Sequence, residues 1–246
     1  QRDSEGLGEI GSEGNRLLEA VDEVIEVSEK AGIPLQISHL KTSGEQNWNK
    51  LDDLFERIET ARKRGVDITA DRYPYTASNT GLSSVLPDWT FEGGTDGLLK
   101  RLEDPESRYR MRKEILAGHP EEDYFDRIMI SAVTRPENRG YAGNKVKECA
   151  LRAGKDPLEF VFDLLLQERN MVDSIHFTMS LENLRRILKK DYVMIGSDSG
   201  AKTIEGPLGE GNARMPWFAA RSPMVPSAVP AATSARMAPS PRALIR

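Results

Sequence analysis

Histidine and cysteine are scarce in this sequence, with three of the one and one of the other, and no apolar run approaches the roughly 20 residues that cross a bilayer. The lone Cys149 has no partner for an internal disulfide, which points to a reducing, cytoplasmic setting. The missing apolar run leaves no candidate membrane span. Positive charge is also short: 34 Lys and Arg stand against 39 Asp and Glu, for a formal net charge of -5. Phosphate binding needs a basic face, so nucleic acid is not expected as the partner. A small molecule is.

The opening QRDSEG has neither an initiator Met nor a signal peptide. At the other end, residues 212–246 contain no Asp, Glu, Lys or Gly and are dominated by Ala, Pro, Ser and Arg. Such a stretch lacks the periodic apolar content of a packed element, and 212–246 is expected to be a disordered or aberrant tail behind a folded domain of 1–211.

Within that domain one unit recurs. GNRLLEAVDEVIEVSEKAG places Leu17, Leu18, Val21, Val24 and Ile25 on one helical face, with Gly32 as the stop, and the strand-like IPLQIS follows. LDDLFERIETARKRG repeats the design with Leu51, Leu54, Phe55 and Ile58. Lys63 and Arg64 lie at its dipole-negative end, Gly65 is the stop, and VDITADRYPY follows. The third unit is SLENLRRILKK, opened by Ser180 as an N-cap, and then YVMIGSDSG. Helix, short turn and buried strand in alternation predict an α/β fold with parallel strands. Residues 79–143 break the rhythm with LPDWTFEGG and a separate helix, and read as a lid-like insertion. Residues 144–170 return to helices, with Pro157 at a first-turn position.

Each strand stops at polar or ionisable residues: Ser38-His39, Asp71-Arg72-Tyr73 and Ser197-Asp198. In a (β/α) barrel the strand ends open onto one face, where catalytic groups converge. Each has a plainer explanation taken singly. His39 could hydrogen-bond a carbonyl, Asp198 could cap a turn, and Asp71 and Arg72 could join structural ion pairs. Together, an imidazole and a carboxylate at equivalent places suit metal-assisted hydrolysis, in which a carboxylate takes a proton from water and returns it to a leaving amine. One His and one Asp still fall short of the three or four protein ligands of a zinc site. GLGEIG, residues 6–11, matches a dinucleotide fingerprint in letters only, since no strand precedes it, and reads as a flexible loop. His119 reads as a surface turn residue, His176 as a lone strand histidine, and Cys149 as a buried small hydrophobe.

The blocks LLEAVDEVIE…GIPLQISHLK, ITADRYPYTAS and MIGSDSGA, in that order, resemble the N-acyl-D-amino-acid deacylases of the metal-dependent amidohydrolase superfamily, over residues 1 to about 211. The resemblance implies a partial (β/α)8 TIM-type barrel, comprising strands six to eight with their helices, completed by the remaining half of the barrel upstream. It implies a site with one or two zinc ions, His39 as a metal ligand and Asp198 as the catalytic aspartate. Lys41 and Tyr73 fall on positions similar to the family's substrate-carboxylate contacts, with Ser78 as a further one. The activity implied is hydrolysis of an N-acyl-D-amino acid to a carboxylate and a D-amino acid. A hydantoinase- or dihydroorotase-like amidohydrolase and a catalytically inert chain are the alternatives. Departures from the family bear on the last: its H-x-H pair and metal-binding cysteine have no counterpart here, and QRD matches an H-x-R motif whose histidine would fall just before Gln1. On this reading the chain is the second half of a catalytic domain.

Overall fold

A computed structural model of the chain describes residues 7–8 and 13–198. The expected tail and the QRD motif lie outside the described residues. GLGEIG holds a strand rather than a loop: Leu7–Gly8 forms β1. Two residues carry no period from which a strand could be read.

Leu17–Ala31 forms α1, burying Leu17, Ala20, Val21 and Ile25. Gly32, at φ 64°, ends it by donating its N–H to Ser28 O, in a left-handed conformation that glycine adopts without strain. Leu35–Ile37 follows as β2. Leu51–Lys63 forms α2 with Leu51, Leu54, Phe55 and Ile58 all buried, and Ile68–Arg72 forms β3. The three strands pair in parallel, Leu7 opposite Gln36 and Leu35 opposite Ile68, while α1 and α2 share one apolar core with the sheet. The 3.6-residue period of each helix and the apolar faces of the strands meet in that core.

After β3 the chain leaves the parallel sheet. Ser78–Gly81 forms β4, Gly94–Glu103 α3, Pro105–Gly118 α4, Ile128–Val133 β5, Val146–Arg152 α5, Pro157–Gln167 α6 and Val172–His176 β6. The strands make an antiparallel sheet in the order β4-β6-β5, with Ser78 opposite His176, and a second core gathers Leu82, Leu98, Ile130, Cys149 and Phe162. Cys149 is buried there, as its neighbours predict. Asp104 and Asp156 cap α4 and α6, each followed by the Pro that suits a first turn.

Thr178 fastens the returning chain to the end of β2: its carbonyl accepts from Gly44 N and Trp48 Nε1, both at 3.0 Å. Leu181–Ile187 then forms α7, capped as expected by Ser180, which accepts from Asn183 N. Val193–Ile195 forms β7, which pairs in parallel with β3, Arg72 opposite Ile195. The parallel sheet reads β1-β2-β3-β7. The class is mixed α/β, as the alternation predicts. Among the described residues no helix is long and apolar enough to cross a membrane.

Two tests address this framework. Leu54 is fully buried between α2 and the sheet. Leu54→Ala is expected to lower stability by about 2–5 kcal/mol in urea unfolding, through lost burial and a residual cavity. Glu168, 1% exposed, closes α6 by accepting from Thr134 N, Arg135 N and Asn138 Nδ2. Burial pulls its pKa upward, but the hydrogen bonds from Thr134, Asn138 and the Arg135 backbone outweigh it, and the carboxyl titrates below its usual range. A carboxylate lowered in the folded state contributes stability that is complete above its unfolded pKa and is lost as pH falls through the folded value. Glu168→Ala should therefore destabilise by about 2–4 kcal/mol at pH 7, and the gap from wild type should shrink in unfolding curves run on the acid side of the usual carboxylate range.

Candidate active site

The parallel register brings three strand ends to one edge of the sheet. His39 leaves β2, Asp71 and Arg72 close β3, and Gly196 to Asp198 leave β7. Asp71 holds the first of these: its Oδ1 accepts from the His39 backbone N–H at 2.8 Å and its Oδ2 from Gln36 Nε2 at 3.0 Å. Gly196 N donates to Arg72 O at 3.1 Å, with the Asp71 side chain packed where a Cβ on Gly196 would project. Asp71 thus clamps the His39 backbone and the Gln36 side chain, and among the described residues it forms no ion pair.

His39 has φ 43° and Asp198 φ 54°. Left-handed backbone costs a non-glycine residue roughly 1–2 kcal/mol, and such residues cluster where function over-determines the conformation. Both candidates from the sequence carry this strain, on strands separated by β3.

Glu13, which no motif marks, joins the cluster. Its Oε1 lies 2.5 Å from His39 Nδ1 and also accepts from Lys41 Nζ. Lys41 Nζ is 2.8 Å from His39 Nδ1 and donates to His39 O at 3.2 Å. Lys41 is only 4% exposed, so Glu13 is the counter-charge that lets an ammonium sit there. Burial lowers the Lys41 pKa against the pull of Glu13, while hydrogen bonding to Glu13 raises that of His39. Burial acts to raise the Glu13 pKa, and the His39 hydrogen bond and Lys41 charge override it to leave it lowered.

Beneath them lies Tyr73, 4% exposed, with the Arg72 guanidinium 4.1 Å and Lys41 Nζ 5.3 Å from its ring centroid. Burial pushes its phenol up to about 12 against the nearby Arg72, so it stays a neutral donor. Arg72 is 1% exposed; its Nη2 donates to Tyr75 O, while Nε and Nη1 find no partner among the described residues. The fields of Glu13 and Asp198 both reach Arg72 and Tyr73.

A cleft of about 690 Å³ opens above this cluster. His39, Lys41, Ser78 and Asp198 line it together; Tyr73 does not reach its surface. Its other wall comes from β4, β6 and the segment between α4 and β5, and includes His119 and His176. His119 is therefore not a plain surface residue: it is half-buried, stacked at 4.0 Å on Tyr124. Neither histidine is legible as a cleft residue in the sequence, because His176 arrives on β6 and His119 on the segment after α4, and only the tertiary fold brings the two together. Glu13 had one signal, a carboxylate just ahead of a helix, which is too common to single it out.

A zinc site takes three or four protein ligands. Among the described residues no three His, Cys, Asp or Glu side chains converge to hold a metal ion, and His39 Nδ1 is already engaged by Glu13 and Lys41. The described residues alone do not fit a complete metal centre.

No family model matches the chain. It is 28% identical over 189 residues to the N-acyl-D-glutamate deacylase of Alcaligenes xylosoxydans xylosoxydans, covering 77% of this chain. It is 25% identical over 186 residues to the D-aminoacylase of the same organism, covering 76%. The chain spans 30% of the length of each of these curated relatives. Among solved structures, it superposes on the N-acyl-D-glutamate deacylase of Bordetella bronchiseptica, solved with zinc and a phosphonate mimic of the tetrahedral intermediate, with a TM-score of 0.56 at 24% identity, over 78% of this chain and 32% of that one. A crystal structure of D-aminoacylase, described as defining a novel subset of amidohydrolases, gives a TM-score of 0.53 at 25% identity, over 78% of this chain and 32% of that one. In sequence and in fold alike, the resemblance that the motifs carry is borne out: over about three quarters of its length the chain is similar to N-acyl-D-glutamate deacylase and D-aminoacylase.

Proposed function

We propose that the protein bearing this chain is a metal-dependent amidohydrolase that cleaves the amide of N-acyl-D-amino acids. One observation carries the reading: His39 and Asp198, on separate strands, both take left-handed backbone at the same edge of one parallel sheet and line one cleft. The similarity to an N-acyl-D-glutamate deacylase and a D-aminoacylase supports it. In this reading the parallel sheet is part of a (β/α)8 barrel, with β2, β3 and β7 as its sixth to eighth strands and 79–143 as a lid-like insertion. The exposure of Met194 and Ile195 on β7, at 53% and 59%, supports further covering by the remaining barrel.

His39 is read as one ligand of a divalent metal such as zinc, the other ligands belonging outside the described residues. Asp198 accepts the proton of the water that attacks the acyl carbonyl, and returns it to the departing amine. Lys41 supplies a cation and Ser78 a hydroxyl donor for the carboxylate of the substrate, while Tyr73, behind Lys41 and short of the cleft surface, backs that contact instead of making it. With Glu13 against Nδ1, the ring of His39 keeps one orientation, as carboxylate partners of ligating histidines commonly ensure.

The competing reading is a catalytically inert chain, favoured by the absence of three convergent metal-ligating side chains among the described residues. Hydrolysis of N-acetyl-D- and N-acetyl-L-amino acids by the intact protein, side by side, separates the two. The expected result is turnover of the D-series only, lost on zinc chelation. Asp198→Asn should lower kcat by about 10²–10⁴, the range of a positioned acid–base group. Lys41→Met should raise KM more than it lowers kcat. Equal turnover of both series, or an Asp198→Asn variant as fast as wild type, rules the proposal out, and no turnover by the intact protein leaves the inert reading standing.

A further inference from the structure

The cleft has two unlike walls. Glu13, His39, Lys41 and Asp198 make the parallel-sheet side strongly charged. The opposite side presents Thr80, Ser84, His119, Tyr124, Arg127 and His176. Among the described residues that line the cleft there is no Leu, Ile, Val, Met or Phe. In the β4-β6 register Ser78 opposes His176 and Thr80 opposes Ser174, so Ser78, Thr80 and His176 share one face of that sheet.

This second wall is mostly neutral and polar, its two charged groups being Glu121 and Arg127. His176 Nε2 lies 2.8 Å from Ser174 Oγ and 3.5 Å from Ser84 Oγ. Burial, with a smaller push from His119, drops its pKa to about 4, and burial also lowers that of His119 against the pull of Glu121. Arg127 is the one cation on this wall among the described residues, and it is already matched, 2.9 Å from Asp123 Oδ2 and 3.0 Å from Glu45 Oε2.

We propose that this wall receives the side chain of the acylated amino acid, and that it takes a neutral hydrogen-bonding side chain, a carboxamide or a hydroxyl, over an aliphatic one or a second carboxylate. This deepens the preceding reading and rests on it: Ser78, placed there with the substrate's carboxylate, begins the strand that carries Thr80. An aliphatic side chain would strip water from the hydroxyls and imidazoles and return no hydrogen bond. A second carboxylate would lose its own hydration and meet no unmatched cation on this wall. A carboxamide both donates and accepts, as do the groups facing it.

Calorimetric titration of the intact protein carrying Asp198→Asn, so that the compounds are bound and not turned over, with N-acetyl-D-glutamine, N-acetyl-D-leucine and N-acetyl-D-glutamate tests this with three side chains of similar size. The glutamine compound should bind tightest, by about tenfold over each of the others, the worth of roughly one hydrogen bond. Thr80→Val and His176→Leu should each narrow the glutamine-to-leucine ratio to about threefold or less, the outcome for a site that has lost one polar partner. Thr80 is exposed, so its variant keeps the fold even if His176→Leu melts early. Tightest binding of leucine or glutamate, equal binding of all three, or ratios unchanged in Thr80→Val overturns the inference while leaving the acyl-amino-acid reading intact. Binding of none of the three overturns both.

Discussion

A buried ammonium needs an anion beside it, and the edge of this sheet is built around meeting that need. Lys41 is almost wholly enclosed, and Glu13 neutralises it while gripping His39. The same loop is tied down by its backbone, since Ser43 N donates to Glu13 O and Lys50 Nζ to Asn15 O, both at 2.8 Å. The entry to α1 and the exit from β2 are thereby one rigid piece. Removing one partner of such a pair strands a charge in a poorly solvated place, which is more damaging than removing both. The geometry of His39 therefore depends on a residue that carries no recognised motif.

The strands themselves impose the second constraint. Parallel pairing gives β2, β3 and β7 a common direction, so their terminal residues open together whatever lies between them in sequence. Asp71 turns that coincidence into a fixed geometry by bonding the backbone of His39 and packing against Gly196. The left-handed conformation of His39 is held against its strain by the Asp71 bond and by the sheet behind it.

Much of this was legible in the residues. The faces of α1 and α2, the stop at Gly32, the cap at Ser180 and the Pro157 first turn follow from local rules that tertiary contacts here reinforce. The meeting of His39 with Asp198 was legible through strand ends. β1 was not, because two residues inside a glycine-rich stretch pair only when β2 offers an edge. His176 escaped for a related reason, since the pairing of β4 with β6 joins segments far apart in sequence, and His119 because only the fold carries the segment after α4 onto that cleft. Glu13 illustrates a third limit, since a carboxylate in a loop gains meaning only from the cation folded onto it.

The neighbours β3 and β7 are consecutive in the sheet but far apart along the chain, and that has a consequence for assembly. As the polypeptide emerges in order, β3 presents a bare edge until the intervening layer has formed and delivered α7 and β7. Unpaired parallel edges invite association with other chains, and long-range pairing is slow. The antiparallel layer has its own core and its own hydrogen-bonded ladder, so it can close first and shorten the search. The anchoring of Thr178 to Gly44 and Trp48 then acts as a clasp at the point of return. Mutations that loosen that clasp would be felt first as aggregation during synthesis, well before any change in the finished site.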